Sequence, residues 1–258
     1  MAGINLEALS RGDIDALAHA ITRAENQELS ETDAAQLMER SQLLPFSARY
    51  RIGITGSPGV GKSSLTSLLI SHFREEELKV AVLAVDPSSV LTGGALLGDR
   101  VRMHEHYLDP HVFIRSMSAR GHLGGIAYAT PLASALMTLA GYSPVIIETV
   151  GVGQSEVEVM NHVDTTVLVL APGAGDDIQS AKAGVMEIAD IYLINKVDRD
   201  KQGAEKLAQE IIRSLELSPR PDGWKPKVLL VSALDRTGLS ELGDALAAHQ
   251  EFLATRAR

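Results

Sequence analysis

The stretch "ITGSPGVGKSSL", residues 54–65, decides how the rest of the chain is read. It contains Gly56-x-x-x-x-Gly61-Lys62-Ser63, with a β-branched apolar run before it and a helix-forming stretch after it. The glycines let the backbone of Gly56, Ser57, Pro58, Gly59, Val60 and Gly61 wrap around phosphate oxygens. Several N–H groups then point inward, aided by the positive end of the following helix, which opens with Lys62, Ser63 and Ser64. Lys62 can reach the β- and γ-phosphates, and the Ser63 hydroxyl can bind Mg²⁺. A glycine-rich turn with an incidental lysine is the competing reading. It is disfavoured because Gly, Lys and Ser all fall in their required places between a strand and a helix. The stretch predicts nucleoside triphosphate binding.

Outward from this loop, short apolar runs alternate with helical stretches. The runs are 51–55, 80–85, 112–116, 145–149, 166–170, 191–195 and 228–231. They are rich in β-branched residues and mostly lack strict alternation, as strands buried on both faces do. The stretches between them are long enough for crossover helices. The expectation is a three-layer α/β domain with a mainly parallel sheet over residues 46–258. Residues 1–45 are expected to form a helical N-terminal extension. There Ile14, Leu17, Ala18 and Ile21 follow helical spacing with Ser10 as N-cap, and a second helix starts after Ser30. A last helix runs from Leu239, with Leu242 and Leu246 facing inward.

Composition narrows the function classes. The chain has 258 residues, 24 Lys and Arg against 33 Asp and Glu, and a net charge of −9. That balance argues against a nucleic-acid partner. No stretch approaches the roughly 18–20 apolar residues that span a bilayer, and the N-terminus lacks the design of a signal peptide. The absence of cysteine excludes disulfides, thiol catalysis and cysteine metal sites. A cytoplasmic bacterial protein is expected, with the processed form of an organellar one as the alternative.

The base is read from Asn195-Lys196-Val197-Asp198, which follows an apolar run at a strand end on the ligand side of the sheet. An ionised Asp only accepts hydrogen bonds. Guanine offers N1–H and an adjacent amine, whereas adenine offers an unprotonated N1, so Asp198 selects guanine. A further strand ends in Ser232-Ala233-Leu234, which could bring a backbone N–H to the guanine oxygen. GTP is expected over ATP, with GDP as product.

Two acids end strands beside the loop, Asp86 and Glu148. With Ser63 they are candidate Mg²⁺ ligands, since Mg²⁺ favours carboxylates and retained waters. Asp99, in a Gly-rich segment, could enter the metal shell when GTP is bound. Glu148-Thr-Val-Gly151 reads as a switch in which the Gly151 N–H senses the γ-phosphate. Lys62, Asp86, Glu148 and Gly151 are therefore the candidate catalytic set. A Gln that orients water follows the corresponding glycine in Ras-like GTPases. Here Val152 follows, and Gln154 lies further on. Slow intrinsic hydrolysis that depends on a partner is expected.

The segments "GSPGVGKSS", "VDPSSVLTGGALLGDRVRM", "SARGHLGGIA", "IIETVGVGQSE", "APGAGDDIQSAKAGVMEIADI" and "NKVD" together resemble the MeaB/ArgK family of G3E-type P-loop GTPases, over about residues 10–250. The resemblance implies a chaperone that gates adenosylcobalamin loading and protects an acyl-CoA mutase of the methylmalonyl-CoA type. It further implies switch segments at 87–103, at 151–161 (with Gln154) and at 173–184 (with Asp176, Asp177 and Lys182). Tyr128 stands where the family often has a basic residue. The family usually continues into a helical dimerisation arm, which is expected to be short or absent here, leaving a homodimer open. A P-loop small-molecule kinase of the basic amino-acid transport type and a G3E metallochaperone are the competing readings. The first is disfavoured by Asp198. The second would have to use His104, His106 and His111, which lie in a polar stretch without clear ligand geometry.

Overall fold

A computed structural model describes residues 4–86, 103–118, 123–149, 154–173 and 185–256. Seven strands among these residues form one sheet: β1 (Arg51–Thr55), β2 (Val80–Asp86), β3 (Val112–Ser118), β4 (Val145–Thr149), β5 (Thr165–Leu170), β6 (Ile191–Ile194) and β7 (Lys227–Leu230). Their order is β3-β2-β4-β1-β5-β6-β7, and every pairing is parallel. The sheet is buried on both faces, which is why its central strands read as unbroken apolar runs. Alternate residues serve opposite faces. Ile52 and Ile54 pack under helices α4 (Lys62–Glu75) and α9 (Leu239–Arg256). Between them, Gly53 faces the other way, where an added Cβ would crowd Met160 and Val163. The strand order switches at β1, whose carboxyl end opens into the loop at 56–61, so the ligand crevice lies at that end.

The second face carries α5 (Leu123–Leu139), α6 (Gln154–Met160), α7 (Val185–Ile188) and α8 (Lys201–Leu217). Outside α5 lie α1 (Leu6–Ser10), α2 (Ile14–Glu25) and α3 (Glu31–Gln42). Helix α5 is thus covered on two sides, and Leu132, Ala133, Ala135, Leu136 and Met137 are all buried. Polar links fasten the outer helices. Ser41 Oγ lies 3.0 Å from Thr138 Oγ1, and Arg115 of β3 pairs with Glu25. The expected N-cap at Ser10 is corrected. Ser10 ends α1, and α2 is capped by Asp13, whose Oδ1 accepts from the Ala16 N–H at 3.0 Å. Ile14 is 47% exposed, because the buried stripe of α2 is Leu17, Ala20, Ile21 and Ala24. Ser30 caps α3, as expected. Among the described residues, no helix is long and apolar enough to cross a membrane.

The amino ends of β1, β5 and β6 carry a buried polar network. Asp190 accepts from the Thr166 N–H at 2.7 Å and pairs with Arg220 Nη1 at 2.8 Å. His249 of α9 places Nδ1 2.8 Å from Thr165 Oγ1 and Nε2 3.5 Å from Asp190 Oδ1. Burial, with the Arg220 charge adding to it, lowers the His249 pKa to about 4. Burial raises that of Asp190 to about 6 against the bonds from Thr166 and Arg220. The signs oppose. The folded state resists protonating His249, so its contribution is present above the unfolded pKa near 6.5 and is lost as pH falls toward 4. Asp190 takes a proton more readily when folded, and its contribution grows over the same acid range. His249→Phe removes the first effect alone. Relative to the parent, the variant should therefore gain about 2 kcal/mol between pH 7 and pH 5, read by urea unfolding at both values. An unchanged difference would exclude a buried neutral histidine.

Candidate functional site

The candidate crevice is built from loops leaving the carboxyl ends of β1, β4, β6 and β7. The turn after β1 requires left-handed backbone at Gly59 (φ 81°) and Gly61 (φ 101°). Such values are open to glycine without a Cβ clash. At Gly56, an added Cβ would strike the Val169 carbonyl of β5. Lys62 is buried, and its Nζ donates to the carbonyls of Gly56 at 2.6 Å and Ser57 at 3.0 Å. The ammonium thus sits within the curve of the loop. Pro58 and Gly59 are exposed at the tip.

Glu148 of β4 lies beside this loop because β4 neighbours β1, with Ile54 opposite Glu148 in register. Only 1% of it is exposed. Ser63 Oγ donates to Oε1 at 2.7 Å, and Thr66 Oγ1 donates to Oε2 at 2.6 Å. A buried carboxylate is costly unless hydrogen-bonded, and two hydroxyls of α4 meet that need. A serine hydroxyl that donates its proton to a carboxylate turns its lone pairs outward. Ser63 and Glu148 therefore form a set of hard oxygen donors that fits Mg²⁺. Thr66 was not among the expected site residues. Its position three residues after Ser63 on one helix face is the signal that could have found it. Asp86 ends β2 at the same edge of the sheet, two positions past Ala84, which pairs with Glu148. Its side chain lies outside the described residues, as does that of Gln154, whose backbone opens α6. Asp99, Gly151, Asp176, Asp177 and Lys182 also lie outside the described residues.

The other half of the crevice holds Asn195, Lys196 and Asp198. Asn195 Nδ2 donates to the Val60 carbonyl at 2.7 Å, and Lys196 Nζ donates to the Gly59 carbonyl at 2.6 Å. Lys196 adopts φ 67°, which turns the chain sharply so that Asp198 faces the cavity. Ser232 Oγ donates to Asp198 Oδ1 at 2.7 Å and orients the carboxylate. A cavity of about 200 Å³ opens here, lined by Gly61, Ser64, Lys196, Asp198, Arg199 and Leu234. In the turn Ser232-Ala233-Leu234, the Ser232 N–H donates to the Thr237 carbonyl at 3.0 Å and the Ala233 N–H to Asn195 Oδ1 at 3.1 Å. The asparagine side chain bridges the two loops. A larger cavity of about 630 Å³ lies between the end of α8 and the start of β7, at the opposite end of the strands. Lys62, Ser63, Glu148, Asn195 and Asp198 do not line it, so the smaller crevice is the candidate site.

Of the histidines, His106 packs onto α4 with Nε2 2.9 Å from Ser67 Oγ, while His111 is exposed. Among the described residues, no group of three or more His, Asp or Glu is placed to hold a metal ion.

Residues 17–258 match the family model described as methylmalonyl Co-A mutase-associated GTPase MeaB. The chain belongs to this family. A MeaB-family chain is a GTPase by that description. A relative from Pyrococcus abyssi is 46% identical over 256 residues, covering 98% of this chain and 77% of its own. The protein named GTPase ArgK of Escherichia coli is 39% identical over 246 residues, covering 94% of this chain and 74% of its own. A solved structure of a protein named LAO/AO transport system kinase superposes with a TM-score of 0.73 at 31% identity, covering 98% of this chain and 76% of that one.

Proposed function

We propose that this MeaB-family GTPase binds GTP with Mg²⁺ and hydrolyses it slowly alone. Its nucleotide state gates adenosylcobalamin loading onto an acyl-CoA mutase of the methylmalonyl-CoA type and protects that mutase. The observation that carries the nucleotide reading is the pairing of Ser63 with Glu148 at 2.7 Å on one side of the crevice and Asp198 held by Ser232 at 2.7 Å on the other. The family description supports the mutase as partner.

Each residue then has a task. Backbone N–H groups of 56–61 and the start of α4 cradle the phosphates, and Lys62 neutralises charge on the β- and γ-oxygens. Mg²⁺, held by Ser63 and Glu148 with Asp86 as a further candidate, would balance the charge that develops as the phosphoryl group leaves. Asp198 accepts from guanine N1–H and the exocyclic amine. The Lys196 stem and Leu234, which is 80% exposed, offer apolar faces to the purine.

Turnover should stay below about 1 s⁻¹ for the isolated protein. Adding a methylmalonyl-CoA mutase should raise it at least about tenfold, as partners that complete a GTPase site do. Steady-state phosphate release with and without the mutase measures this. No stimulation and no complex by size-exclusion chromatography would remove the mutase from the reading.

The solved relative is named as a kinase, and this favours a second reading, transfer of the γ-phosphoryl group to an acceptor other than water. Labelled GTP separates the two. Release of all label as inorganic phosphate excludes the kinase.

A further inference from the structure

Glu148 is gripped at both oxygens by hydroxyls of one helix. Ser63 donates to Oε1 at 2.7 Å, and Thr66, fully buried, donates to Oε2 at 2.6 Å. Thr66 Oγ1 also lies 3.1 Å from the Lys62 carbonyl. A hydroxyl has one proton, and the shorter, charged acceptor takes it. The last torsion of a glutamate side chain is soft and broadly populated. A carboxylate held at one oxygen can still swing about that torsion. Held at both, it presents one fixed edge to the crevice. The spacing makes this possible. Residues three apart on a helix share a face, and the reach of a glutamate from β4 spans both.

We propose that Thr66 is a positioning residue of the magnesium site. It acts through Glu148, fixing the plane of the carboxylate so that Glu148 and Ser63 meet the cation together. This rests on the reading that the site hydrolyses GTP with Mg²⁺.

The test uses Thr66→Val, which keeps the shape and removes the donor, Thr66→Ala, which removes both, and Thr66→Ser, which restores the donor. GTP turnover is measured against Mg²⁺ concentration, and GDP affinity is measured separately in EDTA. The Val and Ala variants should need about tenfold more Mg²⁺ for half-maximal turnover, with Ser within about twofold of the parent, as losses of outer-sphere partners at metal sites go. GDP affinity in EDTA should not move in any of them. A residue that only packs would lower the melting temperature and the EDTA affinity together and leave the Mg²⁺ midpoint in place. That result overturns the proposal, as does a Ser variant as impaired as Val. If Val does not fold, Ala carries the same comparison. A parent enzyme with no Mg²⁺-dependent GTP turnover would instead defeat the underlying reading, and that is visible before any variant is made.

Discussion

Asp198→Asn is expected to collapse the preference for GTP over ATP by about three orders of magnitude while leaving phosphate contacts intact. In the structure, Ser232 Oγ occupies Oδ1 of Asp198 at 2.7 Å. An asparagine can keep that bond with its carbonyl. Its amide nitrogen then stands where Oδ2 was and faces the guanine amine, donor against donor. The penalty is large because buried polar groups are left unpaired. The same swap predicts a rescue. Xanthine carries an oxygen where guanine has the amine, and the new amide can donate to it. Competition binding with GTP, ATP and xanthosine triphosphate reads both effects at once. If the ratio of GTP to ATP affinity does not change, Asp198 does not select the base. Lys62 stays bonded to the carbonyls of Gly56 and Ser57 in the variant, so a general loss of binding to all three nucleotides would signal disruption elsewhere.

Much of the fold was legible because its strands are buried on both faces. A run such as Val145–Thr149 has no solvent side to encode, so it stands out against the charged helices around it. The loop between β1 and α4, with its fixed glycine, lysine and serine spacing, could be read with it. The start of α2 could not. Ser10 and Asp13 are both good caps, and the choice between them is made by where Leu17, Ala20 and Ile21 must sit to cover α5. That is a tertiary fact with no local signature. Likewise, α5 reads as a featureless apolar helix, since it is packed against the sheet on one side and α2 and α3 on the other.

The site shows the same division. The candidate residues were visible as motifs, but the bonds that hold them were not. Ser63 meets Glu148 across 85 residues and Asn195 meets Val60 across 135, and both contacts follow from sheet order. The bond from the Ala233 N–H is another such contact. Once Asn195 bridges to Val60, its Oδ1 is placed to take the first free donor from the loop after β7.

The bridge at Asn195 leads to the second large effect. Gly61→Ala is expected to weaken GTP binding by about 100-fold or more. Gly61 is the N-cap of α4 with φ 101°, a backbone that costs other residues about 1–2 kcal/mol. An added Cβ would also overlap Asn195 Nδ2. That nitrogen holds the Val60 carbonyl at 2.7 Å, and the same side chain holds the Ala233 N–H at 3.1 Å. Displacing it breaks two hydrogen bonds of about 1 kcal/mol each. Strain and lost bonds together reach about 3–4 kcal/mol, a factor of 100 or more in affinity. Gly59→Ala is the control. It has φ 81°, and nothing stands within 4 Å of an added Cβ, so it carries strain alone. Gly59→Ala should therefore bind GTP about tenfold more weakly with its base preference intact. Gly61→Ala should lose base preference as well, because Asn195 joins the loop at 56–61 to both loops beside Asp198, whereas the Lys196–Gly59 bond joins it to one. Equal losses in the two variants, with selectivity kept in both, would mean that the loops act independently and that Asn195 does not couple them.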